Sequence, residues 1–133
     1  MKYQYATPNP DSARRVPLLK VTLRHQNKKV TVLAIIDSGA DICVFNLDYA
    51  KLLELDLSSC EQVTVSGVEG MVRDCYKTTI DLEPEGLPKI TVPVLFIDSS
   101  GVDGLLGQEG FFDQHIITFD KQNNIFEIIS NGA

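Results

Sequence analysis

Short runs of apolar and β-branched residues, separated by polar turns, occupy most of the chain. The runs Val16–Arg24 and Val30–Ile36 are joined by the polar segment Gln26–Lys29, and this pattern predicts a β-hairpin. The same reasoning predicts further strands around Val63–Val65 and at Val72–Leu82, Ile90–Ile97, Leu105–Gly107, Ile116–Phe119 and Ile125–Ile129. Ile42–Phe45 is a further short apolar segment.

Helical spacing is confined to two short segments. Asn46 is a good N-cap for the pattern Leu47, Ala50, Leu52–Leu53, and Gln108–Gln114 has room for one or two turns. About eight strands and two short helices, with strands following strands through tight turns, predict a mainly β, mainly antiparallel fold.

The first 15 residues break the strand pattern. Pro8, Asn9 and Pro10 favour turn or extended backbone, so residues 1–15 are predicted to be an N-terminal arm and residues 16–133 a single folded domain. The chain has neither a signal-peptide core nor an apolar run of about 18 residues, so we expect a cytoplasmic protein that does not enter membranes.

Composition argues against several classes of ligand. A net charge of −6 gives no basic face for nucleic acid. Three cysteines without short metal-ligand spacing predict free thiols rather than disulfides or zinc, and Cys43 is expected to be a small buried hydrophobe. His25 and His115 are expected at the surface. The sequence predicts no metal and no cofactor.

The feature that indicates chemistry is the apolar strand Val32–Ile36, which runs directly into Asp37-Ser38-Gly39-Ala40-Asp41. A carboxylate at the end of such a strand is partly desolvated, as a reactive acid requires. Gly39 permits a tight turn, the Ser38 hydroxyl can hydrogen-bond to neighbouring loops, and Ala40 leaves room for a substrate backbone. A second segment, Leu105-Leu106-Gly107, follows well downstream.

With these segments the chain resembles the retropepsin-like aspartic peptidases, the family of the retroviral proteases and their bacterial relatives. The resemblance spans about Val16–Ile129 and implies a closed β-barrel with a flap hairpin, the flap tip being Ser66–Gly70. It implies that Asp37 is catalytic and that Ser38 and Gly39 support the active-site loop. It also implies that Leu105-Leu106-Gly107 and the segment after it brace this loop. The substrate-binding residues would be Ala40, Asp41, Gly67, Val68, Glu69, Gly70, Val102 and Leu105.

The resemblance also implies a homodimer, because each protomer of that family supplies one aspartate. Two close carboxylates share a proton, so that one activates a water while the other protonates the scissile carbonyl oxygen. The partners would be a second copy of the chain and a peptide or protein substrate. Apolar cleft walls predict a preference for apolar or aromatic residues beside the cut.

Two positions depart from the family pattern. Gln108 stands where many members carry an arginine that pairs with the carboxylate matching Asp41, so a hydrogen bond is expected in place of an ion pair. Glu69 stands in the flap where glycine or an apolar residue is common, and it either favours basic substrate residues or points to water.

Two alternative functions use the same residues. A dimeric module of this fold could grip an extended peptide without cutting it, although the intact Asp37-Ser38-Gly39 favours the enzyme. A phospho-accepting Asp37 would need a doubly wound α/β fold, and the pattern lacks the long helices.

Two expectations concern strand pairing. Ile125–Ile129 is expected to be an edge strand available for intersubunit pairing. A hairpin turn at Ser66–Glu69 would place Cys60 opposite Cys75, within reach of a disulfide, whereas a turn centred at Val68-Glu69 would place Cys60 opposite Lys77.

Overall fold

The computed structural model describes residues 1–66, 72–98, 101 and 103–130. The strands within these ranges are β1 (Lys2–Gln4), β2 (Leu18–His25), β3 (Lys28–Ile36), β4 (Cys43–Asn46), β5 (Glu61–Ser66), β6 (Val72–Pro84), β7 (Ile90–Ile97), β8 (Gly104–Leu106), β9 (His115–Asp120) and β10 (Ile125–Ser130). One α-helix, α1 (Leu47–Leu52), and 3₁₀ turns at Leu57–Ser59 and Phe112–Gln114 complete the described elements. None of these helices is long and apolar enough to cross a membrane.

Six strands close into a barrel, which confirms the predicted mainly β fold. The order is β2-β3-β8-β4-β7-β6, and β2 pairs with β6 to close the circle. Most pairs are antiparallel, but β3–β8 and β4–β7 are parallel. β5 extends the sheet beyond β6 as the first strand of the predicted flap hairpin, whose tip lies outside the described residues.

The hairpin β2–β3 forms as predicted, with a tighter turn. His25 pairs with Lys28, so the turn consists of Gln26 and Asn27, and Gln26 has a φ of 54°. Along β3 the side chains alternate: Val32, Ala34 and Ile36 are buried inside the barrel, while Leu33 and Ile35 face outward. Both faces of β3 are therefore apolar where the strand approaches Asp37.

One predicted helix is present and the other is not. Asn46 caps α1, and its side chain accepts a hydrogen bond from the backbone N–H of Asp48 at 3.0 Å. The predicted helix Gln108–Gln114 is reduced to the 3₁₀ turn Phe112–Gln114. Gly110 has a φ of 91°, which no right-handed helix accommodates, so a helix cannot start before it.

The first residues of the chain, which the sequence predicts to be an arm, pair with its last strand and contribute to the core. β1 pairs with β10, and Tyr5 is buried with its ring 5.9 Å from that of Phe126. The division between residues 15 and 16 remains a prediction. β10 lies between β1 and β9, so the expectation of an edge strand at Ile125–Ile129 is wrong within the protomer.

Neither of the two alternative partners considered for Cys60, Cys75 or Lys77, lies opposite it. Cys75 lies opposite Val63 on one side and Ile97 on the other, and Lys77 lies opposite Glu61. The observed register is shifted relative to both predicted turns, which leaves Cys60 before the first residue of β5. None of the three cysteines forms a disulfide.

Candidate active site

Asp37 follows β3 directly and forms the centre of a tight loop. Its backbone N–H donates to the carbonyl of Leu106 in β8 at 3.0 Å, and its own carbonyl accepts the N–H of Ala40 at 3.2 Å. The side chain is half-buried, and its Oδ1 accepts the N–H of Gly39 at 2.9 Å. The carboxylate is thereby held in one orientation at the end of an apolar strand.

Gly39 is needed for this contact. A Cβ at position 39 would lie 3.2 Å from Oδ1 of Asp37, which is tighter than nine in ten real Cβ contacts. The absence of a side chain lets the N–H approach the carboxylate, and the role of Gly39 in supporting the active-site loop remains a prediction.

The loop is supported from beneath by the backbone around Gly107. A Cβ there would lie 2.6 Å from the carbonyl oxygen of Ile42 and 2.7 Å from that of Ala40, so no larger residue fits. The N–H of Gly107 donates to Sγ of Cys43 at 3.4 Å, which joins β4 to the same support. The Leu105-Leu106-Gly107 segment therefore acts through close backbone packing.

Gln108 and Glu109 complete the support with three hydrogen bonds. Their backbone N–H groups donate to the carbonyls of Ala40 and Asp41, each at 2.9 Å. The side-chain Nε2 of Gln108 donates to the carbonyl of Ser38 at 2.8 Å. The expected hydrogen bond from Gln108 thus exists, but its acceptor is the backbone of Ser38 and not the carboxylate of Asp41.

The site is acidic and lacks counter-charges in the described part of the chain. Asp37 and Asp41 form no ion pair with any described residue, and Asp41 is exposed. Across residues 1–66, 72–98, 101 and 103–130, no group of three or more histidine, cysteine or acidic side chains could hold a metal ion.

The structure brings together part of the predicted site. Asp37, Ser38, Gly39, Ala40 and Asp41 form one loop, and Leu105 in β8 lies beside Ile35 in the parallel register. The other predicted substrate-binding residues lie outside the described residues: Gly67, Val68, Glu69, Gly70 and Val102. Their role, like that of Leu105, remains a prediction.

His115 was expected at the surface, but it is 5% exposed. Its ring stacks on Phe111 at a centroid distance of 4.5 Å, and its Nδ1 donates to the carbonyl of Phe111 at 2.7 Å. In the sequence, Phe111 and His115 are four residues apart, and this spacing was the available sign that their rings could be in contact. Whether the histidine is buried is decided by tertiary packing. His115 therefore stabilises the turn that follows Gln108 and Glu109, the residues that support the active-site loop.

The three thiols are predicted to differ in reactivity. Burial raises the pKa of Cys43 to about 11, so at pH 8 its thiol is protonated and inert, and Cys75 is buried too. Cys60 is half-buried in a surface turn. In titration with an aromatic disulfide reagent at pH 8, Cys60 should react rapidly in the folded protein and the other two thiols only after denaturation. Equal rates for all three thiols in the folded protein would contradict this packing.

The closed barrel, the aspartate loop at the end of β3 and its support from β8 together define a retropepsin-like fold. The chain is similar to a retropepsin-like aspartic protease from Rickettsia conorii, with a TM-score of 0.60, 17% identity, and coverage of 97% of this chain and 98% of that chain. It is also similar to the retroviral protease-like domain of Ddi1 from Leishmania major, with a TM-score of 0.57, 19% identity, and coverage of 85% and 87%. At these identities the likeness shows the fold.

Sequence comparison identifies the family. The profile of the family described as aspartyl protease matches residues 20–109, which include the Asp37 loop and the Gly107 support. The chain belongs to the aspartyl protease family. No curated protein sequence matches it.

Proposed function

We propose that the chain is one protomer of a homodimeric aspartic endopeptidase, in which Asp37 and the partner's Asp37 form the catalytic pair. The observation that carries the proposal is the orientation of the Asp37 carboxylate at the end of an apolar strand. The N–H of Gly39 donates to this carboxylate, and the backbone N–H of Asp37 donates to the carbonyl of Leu106. The chain belongs to the aspartyl protease family. Membership in this family supports peptide hydrolysis in general, and the geometry of the loop supports the particular residue.

The chemistry requires two carboxylates. Two of them held close together share one proton, and the ionised one takes a proton from water while the other donates to the carbonyl oxygen of the peptide bond. Within the described residues, the loop offers Asp37 for this work, while Asp41 has its backbone carbonyl tied to Glu109 and its side chain in solvent. A second copy of the chain supplies the missing partner.

The three-stranded sheet β1-β10-β9 offers surface for that second copy. Ile116 and Ile129 are cross-strand neighbours on its outer face and are 53% and 50% exposed. The outer edges of this sheet, β1 and β9, have no further strand partner among the described residues. An exposed apolar pair, on a sheet whose edge strands can still pair with another strand, is suited to association with a second copy of the chain.

The proposed dimer is tested by measuring specific activity as the protein is diluted. Specific activity should fall as the protein is diluted through its dissociation constant, because the monomer holds half a site. Ile129→Lys should move the loss of activity to a higher protein concentration by about tenfold or more, since it buries a charge in the contact. Leu52→Lys is the matched control, because Leu52 is 63% exposed on α1, outside this sheet.

Activity and sedimentation should be measured on the same samples. An active species that sediments as a monomer would contradict the dimer, and equal behaviour of the Ile129 and Leu52 variants would remove this sheet from the interface. Peptide binding without cleavage by the wild type would instead favour the non-catalytic module.

A further inference from the structure

A small pocket opens over the outward-facing side chains of β3, the strand that ends just before Asp37. Its volume is about 130 Å³, and its walls come from β2, β3 and β8, from Pro8 of the N-terminal segment, and from Gly101 and Asp103 just before β8. Most of these side chains are apolar. A cavity of roughly 150 Å³ holds a benzene ring, so the pocket has room for one apolar or aromatic side chain.

The pocket lies on the outward face of β3, which leads to Asp37. Leu33 and Ile35 are alternate residues of this strand, and alternate residues point to the same side with a repeat of about 7 Å. Asp37 follows Ile35 by two residues, directly after the strand ends at Ile36. Strand pairing places Leu18 and Leu105 on either side of Ile35. A peptide whose scissile bond sits over Asp37 therefore brings a neighbouring side chain to this pocket.

One residue at the rim of the pocket, Asp103, is polar, and its carboxylate already has a hydrogen-bond partner. Asp103 accepts a hydrogen bond from the Tyr49 hydroxyl, and burial followed by the Asp103 charge raises the pKa of that hydroxyl. Tyr49 thus remains a donor to Asp103. The apolar walls therefore govern which side chain enters.

Pro8 reaches the pocket because the N-terminal segment folds into a closed loop. Ala6 and Val16 pair at its base with hydrogen bonds of 3.0 and 2.9 Å. Inside the loop, the N–H of Ser12 donates to the carbonyl of Asn9 at 3.2 Å. Buried Tyr5 anchors the first end, because its N–H donates to the carbonyl of Asn124 at 2.7 Å. Loops whose ends are tied in this way hold a defined shape.

We propose that the loop of residues 7–15, through Pro8, forms one wall of a substrate subsite and sets the size of the apolar side chain that the subsite accepts. The inference rests on the proposed peptidase function. Proline suits such a wall, because its ring fixes φ and it loses no side-chain freedom on packing. The segment predicted from sequence to be a separate arm becomes a specificity element of the site.

The test compares Pro8 variants with Pro10→Ala, because Pro10 lies in the same loop and does not line the pocket. Each protein is incubated with extended peptides carrying Ala, Leu, Phe or Trp at successive positions, and the cuts are mapped by mass spectrometry. Pro8→Ala should raise kcat/KM for Trp relative to Leu at one position by about tenfold. Pro8→Trp should shift the same ratio in the opposite direction, and Pro10→Ala should leave it unchanged.

A parallel binding experiment separates this inference from the proposed function. The same substitutions are made in Asp37→Asn protein, and binding of the fluorescent peptides is followed by anisotropy. Cleavage with ratios that do not respond to Pro8, or that respond equally to Pro10, overturns the subsite and leaves the peptidase intact. No cleavage, but binding whose size preference follows Pro8, supports the subsite and overturns the peptidase. Neither cleavage nor binding overturns both.

Discussion

Asp37→Asn should lower the rate of peptide hydrolysis by about a thousandfold or more, with little change in stability. The loss is large because an amide cannot share the proton on which both acid and base catalysis depend. The fold should survive, since Oδ1 of an asparagine accepts the Gly39 N–H as Oδ1 of Asp37 does at 2.9 Å. Activity is measured on peptides between acidic and neutral pH, and stability by urea unfolding.

Asp41→Asn is the matched control for this experiment. It removes the same charge four residues later, from an exposed side chain that has no ion-pair partner in the described structure. We expect it to keep most of the catalytic rate constant and to affect mainly substrate binding. Turnover of the Asp37→Asn protein within tenfold of wild type would show that another group does the chemistry.

Gly107→Ala should destabilise the protein by about 3 kcal/mol and abolish activity. The added methyl would meet two backbone carbonyl oxygens, those of Ile42 at 2.6 Å and Ala40 at 2.7 Å, and backbone cannot rotate aside as a side chain can. Relief requires the active-site loop to move away from β8. The free energy of unfolding is obtained from the urea midpoint and slope.

Gly101→Ala provides the comparison. A Cβ at position 101 meets no atom of the described residues within 4 Å, so the free energy of unfolding should change by less than about 0.5 kcal/mol. If Gly107→Ala were as stable as Gly101→Ala, the close backbone packing beneath the loop would be refuted.

The sequence was most informative where local patterns decide structure. Strand alternation predicted the β2–β3 hairpin that carries Asp37, and the Asn46 cap predicted α1, because both depend on residues close in the chain. The support of the loop by Leu105–Gly107 came from the resemblance to a known family, and the contacts of Gly107 give its physical reason.

Contacts between distant segments could not be predicted in this way. Lys2 pairs with Glu127 across nearly the whole chain, and no local pattern in the first residues indicates such a partner. The register of β5 against β6 could not be fixed from the sequence either, and the observed register places Val63, not Cys60, opposite Cys75. The tertiary arrangement likewise decides which carbonyl accepts the hydrogen bond from the side-chain amide of Gln108. In the structure the acceptor is the carbonyl of Ser38.

The central claim is that two copies of Asp37 act as one catalytic pair, and mixed dimers test it most directly. Wild-type protein is co-refolded with an equal amount of Asp37→Asn protein, so that subunits pair at random, and its activity is compared with that of the same amount of wild type refolded alone. The account predicts a fall to about half, because half of the wild-type chains then face an inactive partner. Activity that does not fall would show that one Asp37 suffices and would contradict the claim.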